Sequence, residues 1–452
     1  MDAIEKRPLM FTNRALVGLT IPIILDALLA IVAGMVDSAM VSSAGEAAVS
    51  AVSLVDAINL LFVTAFAGMA IGGSVIASQY LGKRDYSHAC IAANQLLYLT
   101  TAVSVVFMAV LLCLREPFLR LMYGSIEADV FENASIYFFY TLLGYPFFAI
   151  GSAGAAVLRS MGKNRQAVTI TVLYNLLNVV GNAILIYGFR MGVAGAAIST
   201  TVSRVVFAVL GMWLARNKQL PAHFENVLKF KLDFDVIRRV FRVGVTNGME
   251  NALFHTGKIL ITSLIATFGT IAIAANSVAS TLNNEGWTVV GAFGTVLLPV
   301  VGQCIGAGEP EQAKSNMKKL LIAATVTTVT LFTTVFLLRH QMVRLFEFGD
   351  EALEAAAYYT GVMALCSLFS LYSFAFVPMQ AFRAAGDIRY TTILGIASMF
   401  AFRVALCFAL NAVFPHLGLM CVCIGMWADW AFRSVMNVIH YRKGKWIKKK
   451  LV

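Results

Sequence analysis

Asp26, Asp37, Asp56, Glu250, Glu285 and Asp429 each interrupt a long apolar stretch of this chain. A carboxylate in the middle of a lipid bilayer costs roughly 2.5–3.5 kcal/mol even on the lenient insertion scale. A chain that keeps several is using them, pairing them or exposing them to water. Such a group can bind and release a proton, or coordinate a cation. Asp26 and Asp37 are 11 residues apart. On a helix that spacing leaves about 20° between them, with a rise of roughly 16 Å, so both share one face. Pro22 lies one turn before Asp26. A proline removes a backbone hydrogen bond and bends its helix. A bendable helix with carboxylates along one face suits a protonation-controlled element. Plain hydrogen bonding within a bundle is the other reading.

A later apolar stretch carries Asn175, Asn178 and Asn182, with Thr200 early in the next. Asn178 and Asn182 are i, i+4 neighbours and present their amides to one side. These groups could hold Asp37, or supply oxygens to a sodium ion bound there. Interhelical polar glue competes with that reading. In the second half Glu250, His255 and Lys258 share one stretch. Lys258 could neutralise a carboxylate across the bundle, and both a structural ion pair and a second coupling site stay open. Asp429 and Arg433, again i, i+4, read as a structural pair. Asp56 and Glu285 fall toward the outer ends of their stretches. They form either a negative mouth for cationic substrates or simply solvated carboxylates.

The elements that must position these groups are membrane helices. The chain is 59% hydrophobic and 13% charged, with mean hydropathy +0.78, whereas soluble chains are about a quarter charged. A bilayer span needs roughly 20 apolar residues. Spans are expected near 13–41, 49–80, 88–114, 130–152, 166–189 and 192–215. Six more follow near 243–267, 270–304, 315–338, 353–382, 390–414 and 417–440. The two sets are copies. Gln79 matches Gln303, Gly82 matches Gly306, Ala89 matches Ala313, Gly45 matches Gly269 and Arg159 matches Arg383, each 224 residues apart. Each copy has six spans, so both have the same orientation, a common plan for secondary transporters. The fold class is therefore an all-α polytopic membrane protein, with twelve transmembrane helices in two pseudo-symmetric six-helix bundles. The expected division is a lobe over 1–215, a cytoplasmic linker with an interfacial helix over 216–242, and a second lobe with a basic tail over 243–452.

The net charge of +11 does not mark a nucleic-acid binder. With both termini cytoplasmic, one side of the membrane is left with only Arg115, Arg120, Arg190, Arg339 and Arg344 outside the spans, and most Lys and Arg fall on the other. That is the positive-inside pattern. The N-terminus, with Lys6 and Arg7, shows no cleavage-site pattern, so the first helix is expected to be retained. The tail from Arg442 to Lys450 is expected on anionic headgroups, with Trp446 at the interface. The seven cysteines read as helix packing, with no metal-site spacing.

Several motifs together resemble the multidrug and toxic compound extrusion (MATE) family. They are Pro22 followed by Val36-Asp37-Ser-Ala-Met-Val41 and Gly45; Pro146 with Leu158-Arg159-Ser-Met-Gly162; Asn175-Leu-Leu-Asn178; and Gly192 through Thr200. Phe382-Arg383-Ala-Ala-Gly386-Asp387, Asp429-Trp-Ala-Phe-Arg433 and Gly444-Lys-Trp446 extend the resemblance over essentially the whole chain. It implies two lobes around a V-shaped cavity in the plasma membrane. It also implies export of amphipathic, often cationic compounds against protons or sodium, with no other cofactor and as a monomer. The family's first-lobe coupling site falls on Asp37, Asn178 and Thr200. Many members have an aspartate where this chain has Asn182. The second-lobe acidic positions fall near Phe254 and within 370–380, where no carboxylate stands. Coupling through the first lobe is therefore expected.

Two rivals are weighed against an exporter. A lipid-linked oligosaccharide flippase would need several arginines facing its cavity, and away from the span ends only Arg204, Arg403, Arg433 and Lys258 lie within spans. An intramembrane enzyme would need clustered ligands or a nucleophile with its base, and the histidines are scattered. The topology has a direct test. A cysteine placed at Lys83 or at Gly308 should react with a membrane-impermeant thiol reagent from the cytoplasmic side only; labelling from outside overturns the orientation.

Overall fold

The computed structural model describes residues 9–124, 127–227, 229, 231–344, 346, 349–449 and 451–452, apart from the side chain of Glu285. Lys6, Arg7 and Lys450 lie outside the described residues, within which the chain is helical and has no strand. The first half contains α1 (Asn13–Ser42), α2 (Glu46–Gly82), α3 (Tyr86–Cys113), α4 (Arg115–Tyr123), α5 (Ala128–Leu143), α6 (Tyr145–Ser160), α7 (Asn164–Asn182) and α8 (Gly192–Ala215). The second contains α9 (Phe234–Ala266), α10 (Thr270–Gly306), α11 (Pro310–Val343), α12 (Asp350–Phe369), α13 (Tyr372–Ala385), α14 (Ile388–Ser398), α15 (Leu406–Val413) and α16 (Met420–Lys443).

Among the described residues nine helical stretches are long and apolar enough to cross a membrane. The pair α5 and α6, meeting at 44°, makes a tenth. That bend falls at Gly144, and Pro146 follows in the first turn of α6, where its missing N–H costs nothing. The twelve are completed by α9 and α16. Each carries charged residues that lower its apolarity, Glu250 and Lys258 in one and Asp429 and Arg433 in the other. The fifth span, begun by α7, finishes as a π-helical turn over Ala183–Gly188, and a second π-helical segment, Met399–Ala405, joins α14 to α15.

The chain divides into an N-terminal unit, Ile21–Gly248, and a C-terminal unit, which is Met249–Leu451 together with the residues up to Thr20. The repeat is visible in the backbone of both. Left-handed φ values occur at Gly45 (105°) and Gly269 (92°), at Arg84 (61°) and Gly308 (74°), and at Gly162 (73°) and Gly386 (99°). Each pair keeps the 224-residue offset. Gly45 and Gly269 stand immediately before α2 and α10, where the chain must reverse at the bilayer edge.

In the N-terminal unit α6 and α8 meet through small residues. A Cβ on Gly154 would lie 2.6 Å from the carbonyl of Gly211. Two backbones this close gain dispersion contact that bulkier residues would forbid, which is how helices associate where lipid offers no hydrophobic drive. The first turn of α3 is capped by Asp85, whose carboxylate accepts from the His88 N–H at 3.1 Å and faces its ring at 2.8 Å. The hydrogen bond from the His88 side chain holds the Asp85 carboxyl below its usual range. The linker is seated on α3. Asn94 donates to the Glu225 carbonyl (2.7 Å) and accepts from its N–H (3.1 Å), and Gln95 donates to the Lys231 carbonyl (2.7 Å). The amphipathic run 233–242 is not a separate interfacial helix. It forms the opening turns of α9 and continues into the seventh span.

In the C-terminal unit the tryptophan of the tail is tucked in, while Arg442, Lys443, Lys445, Lys448 and Lys449 stay exposed. Trp446 is fully buried against Phe382, ring centroids 5.3 Å apart. The buried carboxylate of Asp387 takes Lys449 at 2.6 Å and His440 at 2.9 Å. The expected interfacial tryptophan is thus a core residue. The physical reason is Asp387, a fully buried charge that requires nearby cations.

The α6–α8 contact is backbone against backbone and has no side chain that can yield. Gly154→Val should cost about 1–3 kcal/mol through overpacking. The measurement is thermal unfolding in detergent. Gly188→Ala, with nothing within 4 Å of its Cβ, is the control and should leave the melting temperature in place.

Candidate functional site

Asp37 sits in the last third of α1, half-buried, and accepts a hydrogen bond from the side-chain amide of Asn182. Asn182 is fully buried at the end of α7, where the π-helical turn begins. Its amide oxygen has no hydrogen-bond partner. A carboxylate and an orphaned amide oxygen therefore lie side by side. One turn earlier, Asn178 donates to Thr200 Oγ1 at 3.1 Å, and its carbonyl accepts from Ser199 at 2.9 Å. Gly181 makes this approach possible, since a Cβ there would lie 2.3 Å from Ser199 Oγ. The predicted set Asp37, Asn178, Asn182 and Thr200 thus forms two adjacent pairs. Asn175 has no hydrogen-bond partner among those described.

Asp26, on the same helix, is served differently. One of its carboxylate oxygens is buried without a hydrogen bond. Its charge is felt by Arg159, and the Thr171 hydroxyl is close enough to influence it. The two carboxylates of α1 therefore answer to different partners. Pro22 lies within α1, which stays helical through it.

Asp56 accepts from Asn59 and from Tyr137, both at 3.2 Å, and Asn59 accepts from Tyr145 at 2.8 Å. It is close enough to Asp37 for the two charges to repel, and close enough to Arg204 to be attracted. Arg204 is buried, donates to the Thr141 carbonyl at 2.9 Å, and lies over the rings of Tyr145 and Phe148. A Cβ on Gly144 would meet Arg204 Cδ at 2.8 Å, so the glycine at the span's bend also makes room for the arginine. Sequence reasoning missed Tyr137, Tyr145 and Arg204 as partners. Only Asn59, three residues from Asp56, had a local signal. The side chain of Glu285 lies outside the described residues.

In the C-terminal unit Glu250 pairs with Arg383 of α13, not with Lys258. Arg383 also donates to Thr391 at 3.4 Å. Lys258 has no ion-pair partner among the described residues, and His255 rests against the ring of Phe254. Asp429 is fully buried and pairs with Arg433 at 2.8 Å, as the i, i+4 spacing indicated. It also meets Arg403 at 3.1 Å, a partner from another helix that no local spacing announces. Among the described residues no cluster of His, Cys, Asp and Glu could hold a transition metal.

The sequence profile of the MatE family matches residues 22–184 and 248–409, one segment in each half. A Bacillus subtilis protein called an uncharacterized transporter, YisQ, is 25% identical over 96% of this chain and 95% of its own. A Thermotoga maritima protein named as a probable multidrug resistance protein, NorM, is 24% identical over 97% of this chain and 94% of its own. Among solved structures, one of a MATE in the bent conformation has a TM-score of 0.89 at 21% identity and covers 96% of both chains. It has the same fold.

The Asn178–Thr200 bond ties two spans within the bilayer, where such bonds average about 0.6 kcal/mol. A double-mutant cycle with Asn178→Ala and Thr200→Val, read by unfolding in detergent, should return a coupling of that order. A coupling of zero would show that the two side chains do not meet.

Proposed function

The chain belongs to the MatE family of transporters, and from that premise we propose that it exports amphipathic, often cationic small molecules in exchange for protons or sodium ions by alternating access. The observation that carries the reading is the contact of Asp37 with Asn182. Asp37 is faced by a neutral amide, so nothing fixed neutralises it. A proton or a sodium ion can do so, and sodium prefers oxygen ligands of the kind offered by the carboxylate and the orphaned Asn182 oxygen. The relatives carrying multidrug names support small organic substrates.

In this proposal ion binding removes the Asp37 charge and with it the repulsion from Asp56. The first helix then moves, and Pro22 supplies the point at which it bends. Asp26, further along the same face and within reach of Arg159, senses that movement. Substrate and coupling ion compete for one conformation, which is the linkage an antiporter needs. The distribution of Lys and Arg supports a cytoplasmic position for both termini.

Proteoliposomes test this with a fluorescent cation such as ethidium, under a proton gradient and separately under a sodium gradient. The parent protein should extrude the dye under at least one. Asp37→Asn keeps size and most hydrogen bonding but cannot carry charge. It should insert in normal amount and fall to the level of protein-free vesicles under both gradients. Undiminished efflux in that variant moves coupling elsewhere, and loss of the protein itself makes Asp37 structural.

A further inference from the structure

Among the described side chains of the C-terminal unit, the charges gathered around Asp429 do not balance. Two guanidiniums, Arg403 and Arg433, share the single carboxylate of Asp429. All three are buried, with Asp429 at 0%, Arg433 at 3% and Arg403 at 5% exposure. Arg433 is well occupied, bonded to Asp429 through Nε at 2.8 Å and to the Gly395 carbonyl at 2.9 Å. Arg403 is not. Its Nε has no hydrogen-bond partner. Glu250 cannot help, because it is held by Arg383. A third cation, Lys258, lies within electrostatic range of Arg403 and adds to the excess. Among the described side chains this group therefore carries more positive than negative charge in a low-dielectric setting. An uncompensated buried charge is costly, and an arriving anion would relieve it.

The surroundings of Arg403 say what kind of anion. Its guanidinium lies 5.2 Å from the ring centre of Phe254 and 5.6 Å from that of Trp430. Phe254 in turn is stacked with Trp287, centroids 6.3 Å apart and planes 15° from parallel. Trp430 is sealed at 1% exposure, but Trp287 is 46% exposed. Phe254 is half-buried between them. Lys258, one turn beyond Phe254 on α9, is exposed as well. The cluster thus has a closed side, holding the Arg–Asp–Arg group, and an open side that presents aromatic plates beside two cations. Aromatic walls with a few converging charged donors are the usual lining of a small-molecule site. Arg403 also sits within the π-helical segment Met399–Ala405, an irregularity found often at functional sites.

We propose that Arg403, Lys258, Phe254 and Trp287 form a binding site for an aromatic organic anion, a flat ring system bearing a carboxylate or sulfonate. The ring packs against the exposed Trp287, which Phe254 backs by stacking. The acid group takes the unpartnered edge of Arg403 and the ammonium of Lys258. The assignment rests on reading the chain as an exporter of amphipathic compounds, and extends its substrates to anions and to zwitterions with an acidic end.

Calorimetric titration of the purified protein in neutral detergent, with no ion gradient, tests the site. The probes are naphthalene-2-sulfonate and its cationic counterpart naphthylmethylammonium. The parent protein should bind the sulfonate more tightly than the ammonium. Lys258→Ala changes an exposed residue, and Arg403→Gln leaves Asp429 with its Arg433 partner. Each should weaken sulfonate binding about tenfold, or about 1.4 kcal/mol, without weakening that of the ammonium. If Arg403→Gln does not fold, Lys258→Ala decides the matter. Equal affinity for the two probes in the parent, or unchanged sulfonate affinity in folded Lys258→Ala, overturns the proposal. Failure here leaves ethidium efflux through Asp37 untouched, and failure of that efflux leaves this binding measurable.

Discussion

Hydrocarbon does not tolerate a bare charge, and the interior of this protein is arranged around that constraint. A chain with only 13% charged residues still places carboxylates within its spans, and each one described has acquired neighbours. Asp37 has an amide, Asp56 an amide and a phenol, Glu250 a guanidinium and Asp429 two guanidiniums. Supplying those neighbours requires helices to meet closely at defined heights. Small residues at the meeting points, such as Gly154 with Gly211 and Gly181 with Ser199, make the approach possible.

The two units satisfy the constraint in different ways. In the N-terminal unit the carboxylates are faced mainly by neutral donors, so their charge is left for something mobile to neutralise. In the C-terminal unit fixed guanidiniums do that work permanently, and in one place exceed it. A fixed partner gives a group that holds helices together. A neutral partner gives a group whose state follows the surrounding ion concentration. This difference, more than any one distance, supports placing ion coupling on Asp37 and ring-stacked anions beside Arg403.

Much of the architecture was readable before any coordinates. Hydropathy located the spans, and the 224-residue repeat set their number and common orientation. The i, i+4 pairing of Asp429 with Arg433 followed from helical spacing alone. Amides on the fifth span were expected near Asp37, but which amide reaches it was not: Asn182 does, while Asn178 turns to Thr200. Choices between partners on different helices were opaque for one reason. They depend on the rotation and height of helices far apart in sequence, which hydrophobic periodicity does not specify. Glu250 found Arg383, 133 residues away on another helix. The burial of Trp446 was opaque in the same way. The tail's composition suited a membrane surface, and nothing local revealed that Asp387 was waiting to clasp Lys449.

The π-helical segments bear on how the two halves descend from one another. A π turn accommodates about one extra residue, so side chains beyond it are rotated by roughly 100° relative to an uninterrupted helix. In the first half this phase shift begins at Ala183, just after Asn182. In the second it spans Met399–Ala405, ending just before Leu406, the residue that the 224-residue offset equates with Asn182. The duplicated segments are thus out of phase over the stretch where the first half keeps its amides and the second keeps Arg403. A residue-for-residue comparison of the halves compares different faces of a helix there. Drift in the position of a single bulge is enough to let two copies of one ancestral sequence point different chemistry inward.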